Sequence, residues 1–384
     1  MRLRSRRSLP VALLSMALAG PLAASASANP GSGVVGHVYV NDNTAAANTI
    51  AGFDRHRDGT LTPLPGSPFS AGGAGTGASL PSQGALELTD GGRYLLAVDA
   101  GSSQISVLRV RHDGSLRLVQ RAPVASGGSE PVSVAVHRGL VYVANAGAGG
   151  SNYAGFSLNP GGRLTPLAGS TFPLPDGSGP GDVIFNSSGT KLVGVRVNTS
   201  LIDSFQVGRD GRLSAAPTSP LPAQGAGPFG SEFRPTNPSQ LYVSNAHNGP
   251  GLGSVSAFSV APDASLTSIG SSPFSDNQTA PCWVEISHDG QYLFAVNTAQ
   301  PSVSRYAINP DGTLTLLGST APNDPIGLGP TDERLSPDGN SLWVLDSKRL
   351  AVSGFAVSGG DLAEFSSSPT ALPANATPSG IAVN

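Results

Sequence analysis

The sequence predicts an all-β protein, a seven-bladed β-propeller, and three observations carry this prediction. A short turn motif ending in leucine recurs seven times at a near-constant period. Each copy is flanked by short runs of β-branched and aromatic residues separated by turn residues, a pattern typical of strands. The first copy lacks an opening strand and the C-terminus supplies a spare one, so the two ends complete one blade of a closed ring.

The turn motif sets the period of the repeat. It reads DGTL, DGSL, GGRL, DGRL, DASL, DGTL and GGDL, ending at Leu61, Leu116, Leu164, Leu213, Leu266, Leu314 and Leu362. The steps between these leucines are 55, 48, 49, 53, 48 and 48 residues. A unit of this length with four short strands is typical of a propeller blade, which needs its neighbours to bury its apolar faces.

Each unit contains four predicted strands, named A to D in chain order. Strand A often opens at a proline, as in PVSVAV from Pro131. Strand B ends on Asn or Asp, as in LYVSN to Asn245, except in the fourth copy, where it ends on Arg196. Strand C carries an aliphatic-x-x-aromatic element, such as Val303 to Tyr306. Turns rich in Asp and Gly join A to B and C to D.

The two ends of the repeat fit each other. The first copy begins at strand B, with Gly36-His37-Val38-Tyr39, and the chain ends PSGIAVN from Pro378, a strand A with nothing after it. Pairing these ends would close the ring and remove a long unpaired edge. We therefore assign residues 36–384 to one propeller domain, preceded by a short linker at 29–35.

Residues 1–28 have the features of a secretion signal peptide. Four arginines precede an apolar stretch from Leu9 to Leu22, and Ala26-Ser27-Ala28 fits a cleavage site. The apolar stretch is short and interrupted by prolines, so it does not resemble a membrane span. Arg6-Arg7 leaves a twin-arginine route open beside general secretion. We expect a secreted or extracytoplasmic protein with no membrane span after signal removal.

Composition narrows the classes of function. Charged residues make up only 12% of the chain, and Gly and Pro number 50 and 33, which excludes a helical bundle. Without the four arginines of residues 1–28 the chain has 18 basic and 25 acidic residues, a net charge of -7, with no basic stripe. Nucleic acid is therefore not an expected partner. We expect a monomer that binds a small polar or carbohydrate-like ligand, or another protein.

Several familiar site motifs do not occur in the sequence. There is no G-x-S-x-G elbow, no H-E-x-x-H motif, no paired-cysteine zinc pattern and no EF-hand loop. Cys282 is the only cysteine, so no disulfide forms within the chain, and we predict a buried strand residue rather than a catalytic thiol. We predict no metal and no cofactor, although spacing leaves calcium at an acidic site open.

The candidate site lies at one end of the central channel. The starts of the A strands, the ends of the B strands and the B–C loops converge on one face, named the channel mouth. Residues that alternate with the apolar column of strand A share the other strand face. The candidate ligand-binding residues are Asp182, Arg196, Glu232, His247, Trp283, Glu285, Asp332 and Arg334, with Glu333 beside them.

A structural role remains open for each of these residues. Acidic side chains in a wet channel need no function beyond solvation. Arg196 stands where the other copies have Asn or Asp, and we expect it to meet either a ligand or the Asp182 carboxylate. Trp283 is expected to pack in the channel, with sugar stacking as the alternative.

The repeat resembles a known family. The SPDG-like turn, the YLFAVN-type strand, the V-S-x-[FY] strand and the DGTL turn look like those of the seven-bladed lactonase propellers, the group of bacterial phosphogluconolactonase and fungal carboxymuconate cyclase. The resemblance covers residues 36–384. It implies a lactone, or its cyclisation partner, handled at the channel mouth. Such chemistry needs a cation for the developing oxyanion and a His or carboxylate to move a proton.

This chain departs from the family at the positions that the resemblance marks as catalytic. The fifth A strand of the family typically begins G-P-R-H, and a Glu follows the Asn that ends its B strand. Here the matching residues are Gly227-Pro228-Phe229-Gly230 and Ala246. A further Arg and a His of the family are replaced by Thr331 and Gly181. The resemblance therefore leaves two readings open.

The first reading is a secreted ligand-binding or interaction module whose catalytic set is missing. The second is a lactone hydrolase or muconate-type cycloisomerase with a rearranged site. In that second reading Arg196 or Arg334 holds the anion, and Asp182, Glu232 or His247 acts as the base.

Overall fold

The protein is a seven-bladed β-propeller, as the repeat predicts. The computed structural model describes residues 33–325, 327 and 329–384. Within those residues the one helical segment is a short 3-10 turn, Ala100–Ser102, and no helix is long and apolar enough to cross a membrane. The predicted signal peptide, residues 1–28, lies outside the described residues.

The A and B strands form the inner half of each blade. The A strands of blades 1 to 7 are Ile381–Val383, Leu86–Leu88, Pro131–His137, Pro180–Phe185, Pro228–Phe233, Pro281–Ile286 and Pro330–Leu335. The B strands are Val34–Asn41, Tyr94–Asp99, Leu140–Asn145, Lys191–Arg196, Gln240–Asn245, Tyr292–Asn297 and Ser341–Asp346. Neighbouring strands are antiparallel throughout, so every A strand begins on the same face of the ring.

The C and D strands form the outer half. The C strands are Thr49–His56, Gln104–Val110, Asn152–Leu158, Leu201–Val207, Ser254–Val260, Ser302–Ile308 and Ala351–Ser358. The D strands, or their first pieces, are Leu61–Pro63, Leu116–Leu118, Leu164–Pro166, Leu213–Ala215, Leu266–Ser268, Leu314–Thr320 and Asp361–Glu364. In all blades except the sixth a second short piece follows: Phe69–Ser70, Val124–Ala125, Phe172–Pro173, Leu221–Pro222, Phe274–Ser275 and Thr370–Ala371.

In six blades the D strand consists of two pieces, where the repeat predicts one short strand. Both pieces pair with the same C strand, and a turn separates them. In blade 1 the Ser67 hydroxyl in this turn accepts a hydrogen bond from the Gly52 N–H at 2.9 Å, and in blade 5 Ser272 accepts from Ala257 at 2.7 Å. A serine side chain thus replaces the strand partner that the C strand loses at the break.

The ring closes through the two ends of the chain, as predicted. In blade 1 the A strand from the C-terminus pairs antiparallel with the B strand from the N-terminus, with Val38 opposite Val383 and Val40 opposite Ile381. The pairing continues beyond the strand, because the Ser379 N–H donates to the Asn41 carbonyl at 2.9 Å. The B strand begins at Val34, two residues before the predicted start of the propeller.

Repeated contacts between blades explain two features that recur in the sequence repeat, the aromatic residue of strand C and the Asp-Gly turn. The strand C aromatic side chains, such as Phe205, are fully buried between blades. A strand B tyrosine often reaches the Asp-Gly turn of the next blade: the Tyr39 hydroxyl donates to the Gly114 carbonyl at 2.8 Å, and Tyr142 donates to Gly211 at 2.8 Å. The turn motif that sets the period therefore also ties adjacent blades together.

Candidate functional site

The central channel is closed at the face where the A strands begin. Residues 80–84, named the crossing segment, precede the A strand of blade 2 and lie across the axis. The Gln83 N–H donates to the Gly181 carbonyl of blade 4 at 2.9 Å. The Gln83 side-chain amide donates to the carbonyls of Ser231 and Val284 at 3.3 Å and accepts from the Val284 N–H at 3.1 Å. Gln83 is 3% exposed, so this end of the channel is sealed by protein.

Gly230 makes room for the crossing segment. A Cβ atom at this position would lie 2.1 Å from Gln83 Oε1 and 2.7 Å from the Cys282 carbonyl oxygen. No real Cβ approaches another atom so closely, so residue 230 has no space for a side chain while Gln83 stays in place. The crossing segment can therefore take this course only because residue 230 is a glycine.

Trp283 and Phe229 complete the closed end. The Trp283 indole N–H donates to the Ser82 carbonyl at 2.6 Å, and the Trp283 ring meets Phe229 edge-on at 4.9 Å. Trp283 is 4% exposed and packs in the channel, so it offers no open face for stacking a sugar. His247 lies outside this cluster, exposed, with its ring 6.5 Å from that of Phe229.

The other end of the channel is open and forms a cavity of about 670 Å³. It opens on the face of the A–B turns, opposite to the predicted channel mouth. Asp182, Glu232, Glu87 and Arg334 line its walls, and Gln83 lies at its base. The rim is formed by turn residues, which include Asp90, His137, Arg138 and Asn186.

Arg334 bridges two carboxylates across the channel. It donates to Glu285 and to Glu87, with both N–O distances 3.1 Å. Burial disfavours the charged guanidinium, but Glu87 and Glu285 outweigh burial and hold the pKa of Arg334 well above its usual value. Arg334 also borders a second cavity of about 230 Å³ on the same face. Its charge is thus already balanced by protein.

Asp182 and Asp332 bind the unpaired inner edge of the neighbouring blade. The innermost strand of a blade has no further strand to accept its N–H groups. Asp182 accepts from the Ser231 N–H at 2.9 Å and from the Ser231 hydroxyl at 2.5 Å, and Asp332 accepts from the Ile381 N–H at 3.2 Å. Burial raises the pKa of each aspartate to about 7, against the effect of these hydrogen bonds. Both side chains therefore have a structural role in joining blades.

Glu232 is the cavity acid with unused bonding capacity. Its Oε2 atom is buried and accepts no hydrogen bond from any residue that the structure describes. Burial, followed by the nearby charge of Glu285, raises the pKa of Glu232 well above its usual value. This shift favours the neutral carboxyl of Glu232 over the carboxylate.

Arg196 pairs with a residue that the sequence analysis did not name. Its guanidinium forms two hydrogen bonds with Asp203, Nε to Oδ2 at 2.7 Å and Nη2 to Oδ1 at 2.5 Å. Both residues are buried, and the Tyr153 hydroxyl adds a third bond to Asp203 at 3.0 Å. The alternative that Arg196 pairs with Asp182 is therefore wrong, and Arg196 does not line the cavity.

The eight predicted residues thus separate into four groups. Asp182, Glu232 and Arg334 line the larger cavity, and Glu285 lines the smaller one. Trp283 and His247 lie towards the closed end, while Arg196 and Asp332 are engaged within and between blades. Within the described residues no group of three or more His, Cys, Asp or Glu side chains is arranged to hold a metal ion.

Gln83 was missed in the sequence analysis, although a signal was present. The step from Leu61 to Leu116 is 55 residues, the longest in the repeat, and the added length falls before the A strand of blade 2. An insertion there has to enter or cover the channel face where A strands begin. Nothing in the composition of the segment indicates which of the two it does.

Comparison with known proteins supports the family resemblance over part of the chain. Residues 232–378 match the family model described as lactonase, 7-bladed β-propeller. No curated protein sequence matches the chain.

Solved structures share the fold across nearly the whole propeller. A candidate 6-phosphogluconolactonase from Bacteroides uniformis is 22% identical with a TM-score of 0.72, covering 91% of this chain and 99% of that chain. A second from Bacteroides fragilis is 20% identical with a TM-score of 0.71, covering 93% and 99%. The periplasmic gluconolactonase of Pseudomonas aeruginosa is 17% identical with a TM-score of 0.69, covering 91% and 98%. At these identities the likeness establishes the fold alone.

Proposed function

We propose that this protein is a secreted, lactonase-like propeller that binds a small polar ligand in the channel cavity and does not hydrolyse lactones. The observation that carries the proposal is the position of Gln83 beside Gly230. The resemblance to the lactonase propellers puts an imidazole at position 230, and Gln83 fills that volume. Phe229 and Ala246 replace the expected cation and carboxylate at the same end of the channel.

The two arginines of the predicted site, Arg196 and Arg334, also favour binding over catalysis. Hydrolysis of a lactone develops negative charge on the carbonyl oxygen, and a free cation or a pair of N–H donors must stabilise it. Arg196 is committed to Asp203, and Arg334 to Glu87 and Glu285. Using either arginine for an oxyanion would leave a carboxylate unpaired in a buried site.

The cavity favours a ligand that donates hydrogen bonds. Four carboxyl groups, those of Glu87, Asp90, Asp182 and Glu232, contribute to its polar walls, and the volume of about 670 Å³ lies in the range of small-molecule sites. Glu232 has an unpartnered buried oxygen, and Asp182 lies in the same wall. A polyol, a sugar or a small amine has O–H or N–H groups that can donate hydrogen bonds to the carboxyl oxygens of the cavity wall.

One experiment separates binding from lactone hydrolysis. A pH-stat assay would follow acid release from aldonic, phosphorylated and aliphatic lactones, with the Pseudomonas aeruginosa gluconolactonase as the positive control. We expect acid release at the rate of buffer alone. Turnover that disappears in Glu232→Gln or Arg334→Gln would instead support the enzyme with a rearranged site.

Binding is tested in parallel on the same protein. Polyols, monosaccharides and small amines would be titrated by calorimetry, with Glu232→Gln as the cavity variant and Glu130→Gln as a surface control. We expect at least one of these classes to bind the parent and the control, and to bind Glu232→Gln more weakly. Equal affinity of the parent and Glu232→Gln for the ligand would contradict binding in this cavity.

Export is the remaining part of the proposal. It is supported by the charge and apolar pattern of residues 1–28. N-terminal sequencing of protein recovered outside the cytoplasm is expected to begin at Asn29. Replacing Arg6-Arg7 with Lys-Lys would block a twin-arginine route and leave general secretion intact.

A further inference from the structure

Glu333 is an ionisable residue at an apolar position of the repeat. It lies in the A strand of blade 7, two residues before the last apolar residue of that strand, Leu335. The equivalent residues of the other blades are Ile381, Leu86, Val134, Val183, Ser231 and Val284. None of these siblings carries a charge. A glutamate therefore points into the seam where the sheets of adjacent blades pack.

The seam gives the Glu333 carboxyl almost no polar compensation. Glu333 is 1% exposed, and neither carboxyl oxygen accepts a hydrogen bond within the described part of the chain. The B strand of blade 6, Tyr292–Asn297, packs against this strand and contributes the Val296 N–H, which favours the ionised carboxylate. An ionised carboxylate in such a place is strongly disfavoured.

The charged groups around Glu333 are mostly acidic. Glu285 faces it from the A strand of blade 6, Asp332 adjoins it, and Glu232 approaches from blade 5. Arg334 is the neighbouring cation, but its charge is shared with Glu87 and Glu285. The B strand of blade 7, Ser341–Asp346, places Val344 opposite Glu333 and its one charged residue, Asp346, opposite Pro330. The A strand of blade 1 contributes no charge.

These groups determine the direction of the pKa shift. Burial, then Glu285 and Asp332, raises the pKa of Glu333, whereas Arg334 and the Val296 N–H lower it. The raising effects prevail, and the pKa of Glu333 lies well above its usual value. Burial in this seam therefore favours the neutral carboxyl over the carboxylate in the folded protein.

We propose that Glu333 is a pH-dependent switch in the seam between blades 6 and 7: the protonated side chain lets the two blades pack, and its ionisation separates them there. When the carboxyl is protonated, blades 6 and 7 pack against each other as the other adjacent blades do. When the pH rises and the proton leaves, the charge can be hydrated only if water enters the seam, so blades 6 and 7 separate there. The stability that the neutral carboxyl provides is present at low pH and is lost as the pH rises through its folded pKa. The inference does not depend on the proposed ligand.

The test measures the pH dependence of thermal stability. The parent, Glu333→Gln, Glu333→Val and the surface control Glu130→Gln would be melted from pH 5 to pH 10. The parent and Glu130→Gln are expected to lose roughly 3 °C or more in Tm over this range relative to both Glu333 variants. The Gln variant buries an amide and the Val variant leaves a small void, but neither can ionise. The pH slope therefore remains informative even if both variants melt lower than the parent.

Amide hydrogen exchange locates the effect. In the parent, amides of strands Tyr292–Asn297 and Pro330–Leu335 are expected to lose protection as the pH rises from 5 to 10, beyond the intrinsic base catalysis, and to keep it in both Glu333 variants. Blade 3 serves as the internal reference. Equal pH slopes of Tm for parent and variants, or loss of protection spread evenly over all blades, would overturn the proposal.

Discussion

Arg196 and Asp203 form a buried, two-bonded ion pair between the B and C strands of blade 4. Blades 5 and 6 place a neutral pair here, as where Asn297 donates to the Ser304 hydroxyl at 2.9 Å in blade 6. The two partners are seven residues apart in blades 4 and 6. Arg196, which stands where the other B strands end in Asn or Asp, thus has an acidic partner seven residues later in the chain. The ion pair takes the place of a structural hydrogen bond.

The ion pair predicts a large and coupled effect on stability. Arg196→Ala leaves Asp203 buried without its partner, so we expect a loss of about 3–5 kcal/mol in the free energy of unfolding. Replacing both residues with the pair of blade 6, Arg196→Asn with Asp203→Ser, should recover most of this loss. Urea unfolding of the single and double variants checks it. Additive losses would show that the two side chains are not coupled.

The crossing segment makes a prediction at Gly230. Gly230→Ala puts a Cβ against Gln83 and the backbone of Cys282, so the segment has to shift and stability should fall by roughly 1–3 kcal/mol. Gly33→Ala is the control, because nothing lies within 4 Å of a Cβ there. Equal melting temperatures for both variants would contradict the arrangement described for Gln83 and Gly230.

The sequence predicted the blades better than the channel. The period, the strand columns and the paired ends depend on local patterns repeated seven times, so errors in one copy are corrected by the others. The course of the crossing segment occurs once and depends on contacts of Gln83 with blades 4, 5 and 6. No pattern in one sequence encodes such a contact. The partners of Asp182 and Asp332 were missed for a related reason, since they include backbone N–H groups.

Ring closure predicts the effect of a truncation. Deleting residues 377–384 removes the innermost strand of blade 1 and exposes its B strand, including Tyr39 and Val40. Ile381 and Val383 are buried, and their loss alone should cost about 3–6 kcal/mol. Thermal melting of the truncated and full-length proteins measures this. An unchanged Tm would mean that the terminal strand does not close the ring.

Asp182 predicts a second, separable pH dependence. Its pKa rises from 3.8 to about 7 on folding, so the stability held at low pH is lost as the pH rises towards 7. Asp182→Asn keeps an acceptor for Ser231 but cannot ionise. Between pH 4 and pH 8 the free energy of unfolding of the parent should fall more than that of the variant, by at most about 4 kcal/mol. Urea unfolding at intervals of pH would show the difference, and parallel curves would contradict the buried position of this carboxyl.

The most direct test is to measure from which face the channel can be reached. In a Cys282→Ala background, Ile184→Cys places a thiol in the cavity wall and Phe229→Cys places one at the closed end. A cationic methanethiosulfonate should modify residue 184 quickly and residue 229 slowly, and Gln83→Gly should accelerate modification of residue 229 alone. Faster modification at 229 than at 184 with Gln83 present would contradict a channel sealed at the face where the A strands begin.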